Sequence, residues 1–266
     1  MRLSEFAEQV LMGTTMADKL FVPNVGLRAL VDDEPGPVRA WREPGRPAHL
    51  AIGDRRTRKR LPAPTAMHDP EMRVRCLHTF ANHELMALEL MAWALLAFPD
   101  APKAYRMGLA HIIVDEQRHL QLYMDRISEL GATFGDLSLN DHFWRVAPSL
   151  TDLVKFSSAI NLTFEQANLD HAPMFAGYFE DVGDTQSAAL MRQIAEDEIH
   201  HVGFGARVIN DAANGEDTFE FWRENLTFHN TPDRARGSDF NEESRRRAGL
   251  DEEFIRQMRD LHKKPL

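Results

Sequence analysis

The chain reads as an all-α protein: a four-helix bundle of two helix hairpins joined by a long crossover, with an extension at each end. Three observations predict this. Four long stretches, at roughly 71–98, 102–130, 150–180 and 184–211, carry apolar residues at helical spacing. Breaker residues divide them into pairs, Phe98-Pro99-Asp100-Ala101-Pro102 in the first and Gly183-Asp184 in the second. Between the pairs lies GATFGDLSLNDHFWRVAPSL, 20 residues with turn chemistry and little helical period.

The elements follow in order. Residues 1–70 form an N-terminal arm, in which LSEFAEQVLMGTTMADKL makes a short helix. Seven prolines from Pro35 to Pro70 rule out long helices in the rest of it. Trp41 and the Leu, Val and Phe residues of 20–31 need burial, so the arm is expected to pack on the bundle. Residues 71–211 are the bundle. Residues 212–266 are a C-terminal helical extension, with helical pieces at DTFEFWRENL and DEEFIRQMRDLHKK around the polar segment NTPDRARGSDFNEE.

Composition narrows the function. The 266 residues are 43% hydrophobic and 27% charged, ordinary for a globular protein. A net charge of −10 argues against general affinity for nucleic acid or an anionic membrane. The start, MRLSEFAEQVLMG, has acids where a signal peptide needs an apolar core. The longest apolar run, LMALELMAWALLAF, has 14 residues, too few to span a bilayer. A cytoplasmic protein is the expectation. The single cysteine, Cys76, excludes an intrachain disulfide, a four-cysteine iron site and a self-contained iron–sulfur cluster.

The chemistry lies in a repeated motif. DEQRH, Asp115–His119, interrupts the apolar run GLAHIIVDEQRHLQLYMDRI, and DEIHH, Asp197–His201, interrupts MRQIAEDEIHHVGFGARVI. One Glu-x-x-His means little alone; two, both preceded by Asp and both in apolar helices, do not arise by chance. Each also has a glutamate one helix earlier: Glu84 precedes Glu116 by 32 residues and Glu165 precedes Glu198 by 33. At about 1.5 Å rise per residue, that distance runs half a helix out, a turn, and half a helix back. Glu84 is thus level with Glu116, and Glu165 with Glu198. Within each motif Glu and His share a face. Four carboxylates and two imidazoles would then converge on one core. A buried ion costs several kcal/mol, and two divalent cations balance the four glutamates. Oxygen-rich donors with one imidazole per ion suit iron or manganese better than zinc or copper.

The paired Glu…Asp-Glu-x-x-His pattern of residues 71–211 resembles the di-iron carboxylate superfamily: ferritins, rubrerythrins, fatty-acyl desaturases, multicomponent monooxygenases and tRNA hydroxylases. NHELMALELMAWALLAFPDAPKAYRMGL with DEQRH, and RARGSDFNEESRRRAGLDEEFI near the C-terminus, look like an uncharacterised bacterial ferritin-like family. The resemblance implies a ferritin-like fold with two iron ions; manganese or a mixed manganese–iron pair is the other option. It further implies that Glu84 and His119 bind one ion, that Glu165 and His201 bind the other, and that Glu116 and Glu198 bridge. One departure is visible: His200 stands where the first motif has Arg118. Asp197-x-x-His200 is spaced as a pair too, so His200 and His201 both remain candidates.

Other residues have plainer readings. Asp115 and Asp197 either brace the ligand histidines or face solvent. His78 and His83 read as satisfied polar residues, Tyr123 as core, and Glu89 and Glu196 as solvent-facing acids. Gly205, one turn after His201, reads as a close helix contact. DRRTRKR at 54–60, five bases in seven residues, reads as a solvated loop.

The expected function is an O2-activating oxidase or hydroxylase with a small organic substrate. The extensions could cover a pocket, the lone cysteine excludes a fused rubredoxin domain, and Ser158, Asn161, Glu165 and Asn168 recur at helical spacing. No nucleotide-binding fingerprint is present, so electrons come from an external donor or from the substrate. The alternatives are a ferroxidase or peroxide-detoxifying protein and a tRNA-modifying hydroxylase. No membrane or nucleic-acid partner is expected; a homodimer is compatible with the sequence.

Overall fold

The computed structural model describes residues 1–32, 36–41, 43–53, 61–227 and 230–261. The basic stretch 54–60 lies outside the described residues, and so does the end of the tail, 262–266. The described residues are all-α, with ten α-helices and two isolated one-residue bridges, Arg2 with Val31 and Ile52 with Leu139. No helix among them is long and apolar enough to cross a membrane. The chain divides into two compact units, Met1–Ala147 and Pro148–Leu266.

The first unit is organised around α3 (Pro70–Ala97) and α4 (Lys103–Glu129), which pack on each other. Asp69 caps α3 through the Glu71 N–H, and Pro70 sits at the first helical position, where its missing N–H has no intrahelical partner to lose. From Leu85 to Ala97 every side chain of α3 is buried. A helix apolar on all sides belongs inside a protein. The arm supplies one of its walls. Helix α1 (Leu3–Met12) buries Leu3, Phe6, Ala7, Val10 and Leu11, one stripe at helical spacing, and packs on α3. The single N-terminal helix expected here is two, because Gly13 to Thr15 break it and Thr15 caps α2 (Met16–Lys19) through the Asp18 N–H.

Hydrogen bonds fasten the arm. The Trp93 indole donates to the Trp41 carbonyl at 3.0 Å, and the Arg39 N–H donates to the Leu96 carbonyl at 2.8 Å. Gln117 of α4 donates to the carbonyls of Lys19 and Phe21. Buried Arg106 pairs with Asp32 at 2.6 Å. Burial of residues 20–31 is incomplete: Leu27 and Leu30 are buried, whereas Val22, Val25 and Val31 stay exposed. Trp41 itself is half-buried.

Glu89 corrects the sequence reading. It is fully buried rather than solvent-facing. Its carboxylate takes both Nε and Nη2 of Arg46, at 2.9 and 2.7 Å, the Trp144 indole N–H at 2.9 Å, and Lys19 Nζ at 3.1 Å. Lys19 Nζ also donates to the carbonyls of Val10 and Leu11, the open end of α1. Burial pushes the Lys19 pKa down, and the Glu89 charge opposes that shift. The acid sits in the apolar run because it receives the arm's cations.

The second unit holds the other pair. The helix expected over 150–180 is interrupted: α5 (Leu153–Ala159) passes into a π-helical segment, Ile160–Glu165, and then α6 (Gln166–Asp181). Gly183, at φ 76°, turns the chain into α7 (Thr185–Ala213), capped by Asp184 through the Ser187 N–H. Helices α6 and α7 pack on each other. The tail adds α8 (Thr218–Glu224), α9 (Glu242–Arg247), which the sequence reading lacks, and α10 (Glu252–Asp260). Asp170 of α6 gathers the tail: it accepts from the N–H groups of Gly237 and Asn241 and from both Nη atoms of buried Arg245.

Candidate metal centre

Each unit carries one triad. In the first, Glu84 comes from α3 and Glu116 and His119 from α4, one turn apart. His119 Nδ1 lies 3.7 Å from Glu84 Oε2 and 3.7 Å from Glu116 Oε2. Glu116 and His119 are fully buried, and Glu84 is 3% exposed. One donor atom from each of the three lies within 4.8 Å of the others. Burial and then the Glu116 charge push the Glu84 pKa well above the usual carboxylate range, opposed by His119. A cation between two carboxylates so placed would offset their repulsion.

In the second unit Glu165 ends the π segment, and Glu198 and His201 lie one turn apart on α7. All three are buried, and their donor atoms also lie within 4.8 Å of one another. His201 Nδ1 is 3.2 Å from Glu198 Oε2. Asn168 Nδ2 donates to Glu198 Oε1 at 3.4 Å, a long bond to a candidate ligand. The geometry separates the two adjacent histidines, because His200 is exposed and His201 is buried against Glu198.

The donor set fits divalent metal in chemistry as well as distance. Each triad offers two carboxylates and one imidazole, so one divalent ion neutralises it. The fully buried cationic side chains of the described residues are engaged by other acids: Lys19 by Glu89, Arg106 by Asp32 and Arg245 by Asp170.

The neighbouring residues sort as follows. His78 is a satisfied core histidine whose Nε2 accepts from the N–H groups of Gly135 and Leu137, at 2.9 and 3.3 Å. His83 stacks on Phe143, and Tyr123 stacks on Phe80 in the core. Asp115 is part-exposed, 3.4 Å from Arg118, and Glu196 is an exposed acid paired with Arg247. Gly205 is the close contact expected of it: a Cβ there would come within 2.3 Å of Asn161 Cβ.

Two features escape the sequence reading. One is the π segment, which has no reliable residue signature. The other is that Ser157 and Gln166 join Ser158 and Asn161, which the sequence reading singled out, as buried polar residues. Ser157, Ser158, Asn161 and Gln166 are all fully buried, and among the described residues their side-chain oxygens and nitrogens have no hydrogen-bond partner. Buried polar groups are nearly always bonded to something, which makes these four candidates for contact with a bound molecule.

A family model described as "Protein of unknown function (DUF455)" matches residues 5–256. No curated protein and no solved structure matches the chain. With the match spanning almost the whole sequence, the chain belongs to this family of unknown function, DUF455.

Proposed function

We propose that the protein is a non-haem di-metal oxidoreductase that uses two iron ions, in a ferritin-like four-helix bundle, to oxidise or hydroxylate a small organic substrate with O2. Manganese or a mixed pair remains compatible with the same donors. Glu84 and His119 would hold one ion and Glu165 and His201 the other, with Glu116 and Glu198 bridging. The observation that carries the reading is the duplicated triad. The same Glu and Glu-x-x-His set occurs twice, is buried both times, and lies within ligand reach of itself both times. A structural role for four buried glutamates has no counterpart at that cost.

A redox-active metal pair supplies the electron transfer to O2 that organic side chains lack. The chain's own residues do the rest. The carboxylates compensate charge in a site closed to bulk water. Both imidazoles turn Nδ1 toward their carboxylates. The Asn168 amide holds one oxygen of Glu198. Among the described residues, buried Ser157, Ser158, Asn161 and Gln166 leave side-chain hydrogen-bonding capacity unused, which a storage protein has no need of and a substrate site does. An external donor supplies the electrons.

Anaerobic Fe(II) loading, elemental analysis and O2 exposure followed by absorbance test the proposal. Two irons per chain are expected, with oxidation on adding O2. Glu116→Ala and Glu198→Ala should each hold one iron or none. An unchanged count in either variant refutes the assignment. Uptake far beyond two per chain identifies a ferroxidase instead.

A further inference from the structure

The π segment is held open by groups outside its own backbone. In an α-helix each carbonyl accepts from the N–H four residues on; a π turn widens this to five and displaces carbonyls at the junction. Ser158 stands in the last α turn before the widening. Its carbonyl accepts from two side chains: the Thr163 hydroxyl at 2.7 Å and the Trp222 indole N–H at 3.1 Å. Thr163 lies five residues after Ser158, so its hydroxyl reaches back over the π spacing. Trp222 comes from α8 in the tail, 64 residues on. It is fully buried, packed on Phe219 at 5.5 Å and Phe254 at 5.4 Å. The aromatic cluster of the tail therefore fixes the indole in place. On the segment's other flank, Gly205 of α7 lets the backbone close on Asn161.

The widened turn has a consequence for Glu165, its last residue. One extra residue in a turn rotates everything after it by about 100°, one residue's share of a 3.6-residue turn. If the segment relaxed to α geometry, Glu165 would leave the face it now shares with Glu198 and His201. We propose that Thr163 and Trp222 are positioning residues: by donating to the Ser158 carbonyl they hold the π turn, and so set the direction of the Glu165 carboxylate toward its metal. This rests on the metal reading given above. It also gives the C-terminal tail a role, which is to deliver a hydrogen-bond donor to the metal helix.

Thr163→Val keeps the shape and removes the hydroxyl, Thr163→Ser restores the hydroxyl, and Trp222→Phe keeps the aromatic packing and removes the N–H. Co(II) titration of the full chain, with its visible spectrum, reads each metal position, and amide hydrogen exchange of 158–166 without metal reads the turn. Wild type should bind two Co(II). Thr163→Val and Trp222→Phe should bind one of the two at least tenfold more weakly, with one set of bands altered and exchange in 158–166 changed. Thr163→Ser should match wild type, which loss of general stability would not predict. If wild type binds two Co(II) and the Val and Phe variants match it in affinity and spectrum, the positioning role is refuted whatever the exchange shows. If wild type binds none, the metal reading fails, and the role of Glu165 with it.

Discussion

The two ligand-bearing helix pairs are near repeats in sequence and differ in build. In the first, Glu84 sits on an uninterrupted helix of 28 residues that is buried on every side from Leu85 to Ala97. In the second, Glu165 ends a six-residue π segment, and the side chains of buried Ser157, Ser158, Asn161 and Gln166 in and next to it have no hydrogen-bond partner among the described residues. The same three residue types are thus presented once from a regular α-helix and once from a widened turn. π turns carry a cost in hydrogen-bond geometry and are found mostly where function needs them.

The units are alike in a second way, and it sets the largest expected effect. Each anchors an extension to a long helix through one buried acid: Glu89 receives Lys19 and Arg46, and Asp170 receives Arg245. Glu89→Ala leaves two buried cations unpaired, and Asp170→Ala leaves one. Each should cost about 3–5 kcal/mol, Glu89→Ala the more. Thermal unfolding measures this. A midpoint unchanged in either variant breaks the parallel between the two anchors.

Acid should distinguish the units next. In the first, burial holds the His78 pKa down to about 4, against 6.5 for the free side chain, with Asp136 opposing. The neutral ring accepts two backbone N–H groups in the 133–137 turn, which protonation would break. The unfolded chain takes up its proton first, so stability falls as pH drops below about 6.5 and this contribution levels off near 4. The loss is on the order of 3 kcal/mol. His78→Gln, which can still accept an N–H, should flatten that part of the stability profile between pH 7 and 4.5. A profile identical to wild type removes His78 from the account.

The smallest effect sharpens the contrast most. Asn168→Leu removes the amide on Glu198 and should keep both metals, at a cost of about 1 kcal/mol for one long hydrogen bond. Fe(II) oxidation should continue while turnover of an organic substrate falls. Wild type and variant can be compared by mass spectrometry of small molecules retained from cell extract. If wild type retains none that the variant loses, the polar flank is structural and the ferroxidase reading gains.

Sequence by itself determined the long helices and which acids and histidines come together within each helix pair. The four long helical stretches match observed elements to within about three residues at each end, apart from the π interruption of the third. Apolar periodicity is local and survives any packing. The proximity of the candidate residues within each pair was legible because Glu and Glu-x-x-His repeat at matching offsets of 32 and 33 residues, a spacing that helix geometry converts into closeness. What tertiary structure alone decided are the events that depend on a distant partner. Glu89 reads as a surface acid until Lys19 and Arg46 arrive from the arm. His200 and His201 are equivalent by spacing until burial separates them. The π turn depends on a tryptophan 64 residues away, and no local pattern encodes it, because the displaced Ser158 carbonyl is satisfied by a contact the chain makes only once folded.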